Sequence, residues 1–324
     1  MKGGDLAVYG VSGKKRMIKK IVMSLFLALL FPTVATLAWT GSVGGKERQE
    51  SSGETKRIVL DGGTQLSSVS VEEYLWGIVA EQIPADYGKE ALKAQAMVAR
   101  TYIYGIMDGA DEIPESSLDL DYPSEKSLEE QWGKENAAEY FQNIKTAVEE
   151  TEGQVIVYDG KLITPLFHRA STGRTRDKSG ELPYIKSVES PQDVEADGFL
   201  QMVVVAPAEF AARIREIPDG GDIGEENLFA QIQTVSVDGQ GYVEEIQIGT
   251  ASYSGEEVEY ALGLASPAFT LEDYGGNVRA VVKGIGHGCG LSQYGARKRA
   301  EEGWTAEEII EYFYPGAEVA DGEE

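Results

Sequence analysis

The sequence predicts an α+β protein in which a single domain follows one N-terminal transmembrane helix. Three observations predict this class: an uncharged helical run from Tyr74 to Ala80, recurring strand pairs joined by tight turns, and short helices between those pairs. Regular strand–helix–strand crossovers, which build parallel sheets, do not recur along the chain. We therefore expect antiparallel hairpins and short helices around a buried central helix.

The 324-residue chain is acidic, with 54 Asp and Glu residues against 29 Lys and Arg and a net charge of −25. Nucleic-acid phosphates require a basic surface, so this charge argues against a nucleic acid as partner. The single cysteine, Cys289, excludes an intramolecular disulfide and a cysteine-rich zinc site. We predict no metal and no cofactor, and a neutral or sugar-like partner fits the charge better.

The first 40 residues have the pattern of a membrane anchor. Residues 1–20 carry six basic residues and one acidic residue, and the stretch from residue 21 to residue 39 is uncharged. As a helix this stretch would be roughly 28 Å long, enough to cross a bilayer. We predict a single-pass anchor over residues 21–40, with residues 1–20 in the cytoplasm and the remaining chain outside. Cleavage as a signal peptide, with secretion, is the alternative because small residues end the run.

The remaining chain divides by composition. Residues 41–56 combine Gly, Ser and charged residues without periodicity, which predicts a flexible linker. The folded domain is predicted over residues 57–318. Within it, residues 108–130 are dense in Asp, Glu, Ser and Pro and predict a solvated excursion with little core. Residues 319–324 predict an acidic tail.

The uncharged run has start and stop signals of a helix. Ser70 and Glu73 have the spacing of a capping box, and Pro84 ends the helix. Glu81 therefore lies in the last turn, where the helix dipole and a dry environment would raise the pKa of its carboxyl. Glu81 is thus a candidate proton donor, with an exposed or ion-paired residue as the alternative. Glu72, on the opposite face, is expected to be an ordinary solvated residue.

A second helix is predicted from about Lys89 to Met107, with small residues that allow close packing against the first. Lys93 and Arg100 are seven residues apart on it and so lie on one face. We expect this pair either to contact Glu81 or to bind a ligand. Structural pairing or solvent exposure is the alternative.

A third helix is predicted over residues 134–150, and a hairpin follows it. Two apolar runs flank Asp159-Gly160, a dipeptide typical of a type I′ turn. The second run leads to His168, in a segment rich in Ser, Thr and Gly.

The C-terminal half continues the alternation. The sequence predicts a short helix from Pro207 to Ile217, an antiparallel strand pair over residues 232–249, and a further short helix near residue 255. Alternate glycines at positions 284 to 290, which allow close backbone approach, lead into a helix that starts near Leu291. They match neither a phosphate loop nor a dinucleotide fingerprint. A Thr-x-x-Glu capping box at residue 305 starts the final helix.

Three other site types are weaker predictions. His168 and His287 both lie in turn-rich segments, where a structural hydrogen bond is the alternative to a functional role. A nucleophilic serine at Ser171 or Ser292 is disfavoured, since neither lies in a Gly-x-Ser-x-Gly elbow. A zinc site from the two histidines and Cys289 has unspecific spacing.

Five separated runs are distinctive. They are EEYLWGIVAEQIPADYGKEALKAQAMVARTY, FHRASTGRT, LPYIKSVESP, the Ser-Gly-Glu-Glu-Val helix start and GHGCGLSQYGA. Over roughly residues 57–318 they resemble the stage II sporulation protein D family of bacterial cell-wall enzymes. This resemblance implies a membrane-tethered lytic transglycosylase that cuts peptidoglycan glycan strands, stripped of peptide, during engulfment in sporulation. It also implies two partners, a cell-wall amidase and a membrane protein of the engulfment machinery.

The resemblance implies that Glu81 is the single general acid and base. It would protonate the oxygen between N-acetylmuramic acid and N-acetylglucosamine and then accept the proton of the muramoyl 6-hydroxyl, which leaves a 1,6-anhydro end. The residues expected to bind substrate are Lys93, Arg100, His168, Ser171, Tyr184, His287, Gln293 and Tyr294. Some family members hold a structural zinc with cysteines after the His-Ser-Thr segment, where this chain has Arg174, Arg176 and Asp177.

A function of another class stays open. The family resemblance includes proteins described as amidase enhancers, which implies a peptidoglycan-binding protein that stimulates an amidase without cutting glycan. A protein that only binds would not require Glu81, so this residue discriminates between the two hypotheses.

Overall fold

The computed structural model describes residues 56–60, 67–120, 122–218, 220–224 and 226–322. These residues form the predicted mixture of α-helices and small, mostly antiparallel sheets. The predicted cytoplasmic segment, the membrane span and all but the last residue of the linker lie outside them. Within the described ranges, no helix is both long enough and apolar enough to cross a bilayer.

The elements are short and follow one another closely. The described helices are α1 (Val71–Gln82), α2 (Lys89–Met107), α3 (Glu125–Trp132), α4 (Ala137–Glu150), α5 (Pro207–Arg215), α6 (Gly255–Leu262), α7 (Gln293–Glu301) and α8 (Ala306–Phe313). The described strands are β1 (Arg57–Leu60), β2 (Ser67–Ser70), β3 (Glu112–Pro114), β4 (Gln154–Tyr158), β5 (Lys161–Leu162), β6 (Phe167–His168), β7 (Leu200–Val205), β8 (Ile232–Val237), β9 (Val243–Ile248), β10 (Ala251–Tyr253), β11 (Phe269–Tyr274), β12 (Asn277–Lys283), β13 (Leu291–Ser292) and β14 (Glu318–Asp321).

These strands form five small sheets, with the orders β2-β1-β3, β10-β9-β8, β11-β12-β7, β13-β6 and β14-β4-β5. Two of the described pairs are parallel, β1 with β3 and β6 with β13. The second pair positions the site, because it holds Ser292 beside His168 although the two residues are far apart in sequence.

Helix α1 begins and ends where the sequence predicts. The amide of Glu73 donates to the Ser70 hydroxyl (3.2 Å), and the amide of Ser70 donates to the Glu73 carboxylate (3.3 Å), which confirms the capping box. The helix ends at Gln82, two residues before Pro84.

Helix α2 runs through the centre of the fold, so the central helix is the second one rather than the first. Its bounds are those predicted, and 13 of its 19 residues are buried. It packs against α1, α4, α7, α8 and β4. Its alanines are fully buried, and their small side chains let these elements approach closely.

The described residues contain two hydrophobic cores. One collects buried residues from Ile58 to Ala196 and again from Cys289 to Ala317, and the other lies between Val205 and Val282. We call residues 56–199 and 284–322 the first lobe, and residues 200–283 the second lobe. The second lobe is therefore an insertion between β6 and β13 of the first.

A buried arginine joins the two lobes. Arg176 is 2% exposed, and its guanidinium donates to Asp238 (2.6 Å) and Glu256 (2.7 Å) of the second lobe. It also donates to the carbonyl of His287 (3.3 Å). The guanidinium lies 4.7 Å from the centre of the Tyr242 ring. The segment in which related proteins were expected to hold zinc thus forms an ion-paired junction here.

The stretch from residue 108 to residue 130 has more core than predicted. Leu118 and Leu128 are buried, and Tyr122 stacks on Tyr74 of α1 with 4.9 Å between ring centroids. The prediction of little core is wrong because apolar residues spaced among the acidic ones pack onto the first core. Among the described acidic residues of this stretch, Asp108, Asp111 and Glu112 are exposed, whereas Glu115 is half-buried and accepts a hydrogen bond from the Tyr74 hydroxyl (3.2 Å).

The predicted acidic tail begins inside a strand. β14 pairs antiparallel with β4, with Val319 opposite Ile156, and the amide of Gly322 donates to Gly153 (2.8 Å). Residues 319–321 therefore belong to a sheet of the first lobe.

Several local predictions are confirmed. Asp159 and Gly160 have positive φ angles of 49° and 69° between β4 and β5, as a type I′ turn requires. The predicted antiparallel strand pair is β8 and β9. The capping box at Thr305 starts α8. Helix α7 begins at Gln293, slightly later than predicted, because Ser292 is its N-cap.

Candidate active site

Glu81 lies in the wall of a surface cleft, which we call the Glu81 cleft. Its volume is about 440 Å³. The residues that line it come from the end of α1, the turn after it, α3, α4 and the end of β6. They are Ala80, Glu81, Ile83, Pro84, Ala85, Asp86, Gln131, Trp132, Tyr140 and Arg169.

The surroundings of Glu81 differ from those predicted. The three residues before it, Ile78, Val79 and Ala80, are buried, but Glu81 itself is exposed. The prediction of a dry environment is wrong, because the apolar surround of α1 stops at the last turn and the helix end emerges into the cleft. A buried turn therefore presents an accessible carboxyl.

Three glutamine side chains hold the turn that carries Glu81. The helix stops at Gln82, so the carbonyl of Gln82 has no partner within the helix. The side-chain amide of Gln293 donates to that carbonyl (2.7 Å) and to the side-chain oxygen of Gln95 (3.2 Å). Gln95 in turn donates to the side-chain oxygen of Gln82 (2.7 Å). Gln293, predicted to bind substrate, thus ties the end of α1 to α2 and α7.

Arg169 gives the cleft a cation that sequence analysis did not identify. Its backbone is fixed on both sides, since its amide donates to Ile285 (3.1 Å) and its carbonyl accepts from Tyr294 (3.0 Å). Its half-buried guanidinium lies 5.2 Å from the centre of the Tyr87 ring. It makes no ion pair with another residue of the described chain. The sequence signal that could have identified Arg169 is its position directly after His168 in the run FHRASTGRT.

Tyr294 supports Arg169 through a neighbouring aromatic ring. The rings of Tyr87 and Tyr294 meet edge to face, with 6.3 Å between centroids. Arg297 lies on Tyr87 as well, at 5.1 Å. Burial raises the pKa of the Tyr87 phenol, which stays neutral. Tyr294, predicted to bind substrate, is itself buried and acts as packing behind the cleft.

Asp86 and an aromatic wall complete the cleft. Asp86 is exposed in a turn closed by a hydrogen bond from the Tyr87 amide to Pro84 (3.0 Å). Across the cleft, Trp132 and Tyr140 meet edge to face with 5.7 Å between centroids. Neither the turn nor the aromatic pair was predicted as functional, because the sequence indicated only a turn at Asp86 and a helix around Tyr140 and gave no sign that the two meet at one cleft.

Lys93 and Arg100 lie on one face of α2 but do not reach the cleft. Arg100 is fully buried and donates to both carboxylate oxygens of Glu72, at 2.7 and 2.6 Å. Lys93 pairs with Glu90 (3.2 Å) and lies 3.9 Å from Glu150. The expectation that Glu72 is an ordinary solvated residue is wrong, since it is the counter-ion of a buried arginine.

His168 lies against the glycine-rich loop and His287 lies within it, and neither histidine lines the cleft. The rings of His168 and His287 are 5.9 Å apart. Nδ1 of His168 donates to the carbonyl of Cys289 (3.1 Å), and Nδ1 of His287 accepts from the Cys289 amide (3.0 Å). Burial, with a smaller contribution from His287, lowers the pKa of His168 to about 3, so this ring is neutral. Burial, and then Arg176, lowers the pKa of His287.

Glycine is required where the glycine-rich loop meets β6 and the residue before it. Gly290 has a φ of 71°, and a β-carbon on it would lie 2.0 Å from the carbonyl oxygen of Leu166. Gly286, with a φ of 92°, faces the β-carbon of His168. The alternate glycines therefore allow the close backbone approach that the sequence predicted. The approach is between the glycine-rich loop and the segment around β6, both within the protein.

Ser171 belongs to a buried network centred on Asp193. The Asp193 carboxylate accepts from the amide (2.7 Å) and hydroxyl (2.6 Å) of Ser171, and from the hydroxyls of Ser190 and Ser292 (2.8 Å each). Burial raises the pKa of Asp193, and these donors oppose that rise. The network anchors the segment after β6 to the start of α7, and with it Arg169 and Gln293.

Tyr184, the last of the residues predicted to bind substrate, also contacts other parts of the fold rather than the cleft. It is 7% exposed, and its hydroxyl accepts from the amide of Thr164 (2.8 Å). Among the residues that the structure describes, no three His, Cys, Asp or Glu side chains are arranged to share a metal ion. Cys289 is buried, in keeping with a packing role.

The arrangement brings together one accessible glutamate, a second carboxylate, a guanidinium and aromatic rings in an open cleft. Of the nine predicted site residues, Glu81 alone lines it. Gln293 and Tyr294 stand directly behind the lining, and the other six lie elsewhere. Such a cleft can stack a sugar ring, hold an anionic group and transfer a proton at Glu81.

Known proteins resemble this chain in sequence. Residues 61–158 match a family model described as "SpoIID: Stage II sporulation protein". Stage II sporulation protein D of Bacillus subtilis (strain 168) is 30% identical over 295 residues, which cover 86% of this chain and 82% of that protein. Its namesake from Bacillus amyloliquefaciens is 28% identical and covers 92% of this chain and 93% of its own length.

A more distant relative has a different name. A B. subtilis (strain 168) protein named amidase enhancer is 23% identical to this chain. The match covers 83% of this chain and 46% of that protein. The matched family model includes α1, the turn after it and α2, which hold Glu81 and two of the three glutamines behind it, Gln82 and Gln95. The chain belongs to the stage II sporulation protein D family.

Proposed function

We propose that this protein is a peptidoglycan lytic transglycosylase that acts in wall remodelling during sporulation, with Glu81 as its single general acid and base. The observation that carries the proposal is the position of Glu81, exposed in the wall of an open cleft on a turn that three glutamines hold in place. A fixed backbone with an accessible carboxyl is what a proton-transferring residue requires. Family membership adds support.

The reaction needs one proton carrier. Glu81 protonates the glycosidic oxygen between N-acetylmuramic acid and N-acetylglucosamine as the bond to C1 of the muramic acid breaks. The muramoyl 6-hydroxyl then attacks C1 and gives its proton back to Glu81. One bond breaks, one forms, and the enzyme returns to its starting state with no water consumed. The products are a 1,6-anhydromuramic end and a free N-acetylglucosamine end.

The substrate supplies the dry environment that the free cleft lacks. A glycan strand laid over the cleft removes water from the Glu81 carboxyl, and desolvation favours the protonated form of an acid. The proton donor is therefore formed when substrate binds. The buried turn beneath Glu81 already excludes water from the other side.

The other cleft residues suit a glycan that carries carboxylates. Removal of the stem peptides leaves a lactyl carboxylate on each muramic acid, and the Arg169 guanidinium is available to hold it. Tyr140 offers a ring for stacking, and Gln131 offers an amide. We therefore propose peptide-stripped glycan strands as the substrate, which would make a peptide-removing amidase the natural partner. A membrane protein of the engulfment machinery is the second proposed partner.

The proposed location follows from residues outside the described ranges. The basic segment and the uncharged run after it would anchor the chain in the cell membrane with both lobes outside. This location puts the cleft on the side of the membrane where peptidoglycan lies.

The test compares two carboxylates of one cleft. The full chain in detergent is incubated with purified glycan strands, with and without peptides, and the products are identified by mass spectrometry. Glu81→Gln should lower the formation of anhydro ends by at least about 10³-fold, and the control Asp86→Asn should keep most of it. Reducing ends that require both carboxylates would show a hydrolase instead.

A second candidate is a non-catalytic enhancer of a cell-wall amidase. The similarity to a protein named amidase enhancer favours it. In that case glycan would bind but stay uncut, Glu81→Gln would change nothing, and addition of the protein would accelerate peptide release by the amidase. The same glycan incubation, repeated with an amidase present, separates the two functions.

A further inference from the structure

A second cavity lies at the C-terminal end of α7, and we call it the Arg299 cavity. Its volume is about 240 Å³, and it shares no lining residue with the Glu81 cleft. The 3₁₀ turn at residues 191–195, the end of α7, the turn after it and the last turn of α8 surround it. No step of the reaction proposed above uses this cavity.

Two fixed aromatic rings form part of its wall. The rings of Trp304 and Tyr312 are perpendicular, with 5.6 Å between centroids, and both are partly exposed. The Tyr312 hydroxyl donates to the carbonyl of Glu189 (2.8 Å), and the Trp304 amide donates to the carbonyl of Arg299 (3.0 Å). Rings held in this way present a preformed apolar surface, such as the faces of sugars bind.

Arg299 places a positive charge beside these rings. Its side chain is 7% exposed, and the guanidinium carbon lies 3.9 Å from the centre of the Tyr312 ring and 5.5 Å from that of Trp304. Its Nη2 donates to Glu189 (2.8 Å) and its Nη1 to Gly295 (3.1 Å), both through backbone carbonyls. Its Nε has no hydrogen-bond partner within the described part of the chain.

The charge of Arg299 has no counter-ion among the described residues. The carboxylate of Glu189 is engaged by Arg174. Glu302, the other acid of the lining, is exposed and forms no ion pair with Arg299. Lys298 lies 3.5 Å from both Glu195 and Glu301. The bond to Glu189 attaches α7 to residue 189, and the bond to Gly295 lies within α7. These bonds give both Nη atoms partners but leave the buried charge without a counter-ion. Because an uncompensated buried charge is unfavourable, the site favours an anion.

We propose that the Arg299 cavity binds a carboxylate-bearing unit of the cell-wall polymer, as a second site beside the Glu81 cleft. The rings of Trp304 and Tyr312 contact the apolar face of the bound unit, and Arg299 with Lys298 attracts its carboxylate. The volume suits about one sugar or one amino-acid residue. The inference rests on the proposed function for its polymer, which offers this chemistry in two places: the lactyl group of peptide-free muramic acid and the free carboxylates of the stem peptide.

Two tryptophans make the two sites separately observable. Trp304 lines the Arg299 cavity and Trp132 lines the Glu81 cleft. The experiment follows their indole N–H signals by NMR in the full chain carrying Glu81→Gln, which prevents turnover. The probes are a peptide-free tetrasaccharide of alternating N-acetylglucosamine and N-acetylmuramic acid, the neutral tetrasaccharide of N-acetylglucosamine, and the free stem peptide.

The Trp304 signal should shift with a carboxylate-bearing probe and not with the neutral tetrasaccharide. Lys298→Gln, a change at a partly exposed residue, should weaken that titration about fivefold. A response to the acidic tetrasaccharide assigns the lactyl group, and a response to the peptide assigns the stem carboxylates. Arg299→Lys, with its fold checked by circular dichroism, should weaken the same titration.

Two outcomes would overturn the proposal: a Trp304 signal that no probe moves, or one that the neutral tetrasaccharide moves equally. The assignment of the catalytic function fails separately. If the unmodified protein forms no anhydro ends while Trp304 still responds to a carboxylate, the cavity remains a binding site and the transglycosylase is excluded.

Discussion

The two ends of α1 carry glutamates in opposite settings. At the first turn, Glu72 accepts two hydrogen bonds from the fully buried Arg100. At the last turn, Glu81 is exposed in a cleft whose cation, Arg169, makes no ion pair with a described residue. The positive end of the helix dipole favours a carboxylate at the first position, and the negative end disfavours one at the second. One glutamate therefore stabilises the fold, and the other is exposed at the wall of the cleft.

The first prediction tests this division of roles through stability. Glu72→Gln leaves the buried charge of Arg100 without its partner, so the free energy of unfolding should fall by roughly 3 kcal/mol. Glu81→Gln changes an exposed residue and should alter it by no more than about 0.5 kcal/mol. Urea unfolding followed by circular dichroism measures both. Equal losses in the two variants would contradict the comparison.

The sequence predicted the frame of this helix because its signals are local. The Ser70–Glu73 capping box spans three residues, Pro84 acts on the residues beside it, and the bounds of α2 follow from composition. The position of Glu81 in the last turn follows from these signals alone. The same holds for the type I′ turn at Asp159.

The settings of the glutamates were not predictable, because they depend on contacts between distant residues. Arg100 meets Glu72 across 28 residues, and Gln293 meets the end of α1 across 211. The seven-residue spacing correctly placed Lys93 and Arg100 on one face. It could not show that the face passes from the surface at Lys93 into the core at Arg100, since that depends on where α4 and β4 pack.

The second prediction concerns the tether at the Glu81 end. Gln293→Leu removes the donor to the Gln82 carbonyl and loosens the turn, so the kcat of the proposed glycan cleavage should fall about tenfold while KM changes little. A purely structural role would lower the amount of folded protein and leave kcat per folded molecule unchanged. Gln201→Leu, which removes an amide-to-carbonyl bond from the second lobe to Gly198, is the matched control.

The third prediction compares the two arginines. Arg100 is committed to Glu72, whereas Arg169 is available to an anion in the cleft. Arg169→Gln should lower kcat/KM about fivefold for peptide-free glycan and less for glycan whose lactyl groups carry peptides. Product analysis with both substrates measures the ratio. An equal loss for both would mean that Arg169 only supports Tyr87.

The smallest effect concerns a glutamate that is half-buried like Glu72 but has a like charge as its near neighbour. Burial raises the pKa of Glu259, on α6, to about 7; Glu256 adds to the rise, and Arg176 opposes it. Since the pKa in the folded state lies above the unfolded value of 4.5, the native protein holds this proton more tightly. Stability contributed by the protonated group is complete below about pH 4.5 and is lost as the pH rises towards 7.

Glu259→Gln removes that loss, so the Tm of the variant relative to the unmodified protein should be about 1 to 2 °C higher at pH 8 than at pH 5. Thermal unfolding at both pH values, with the exposed Glu244→Gln as control, measures it. If the Tm difference between the variant and the unmodified protein is the same at the two pH values, burial does not hold the proton on Glu259. Half-burial would then be too weak a criterion to distinguish a structural carboxylate such as Glu72 from an exposed one such as Glu81.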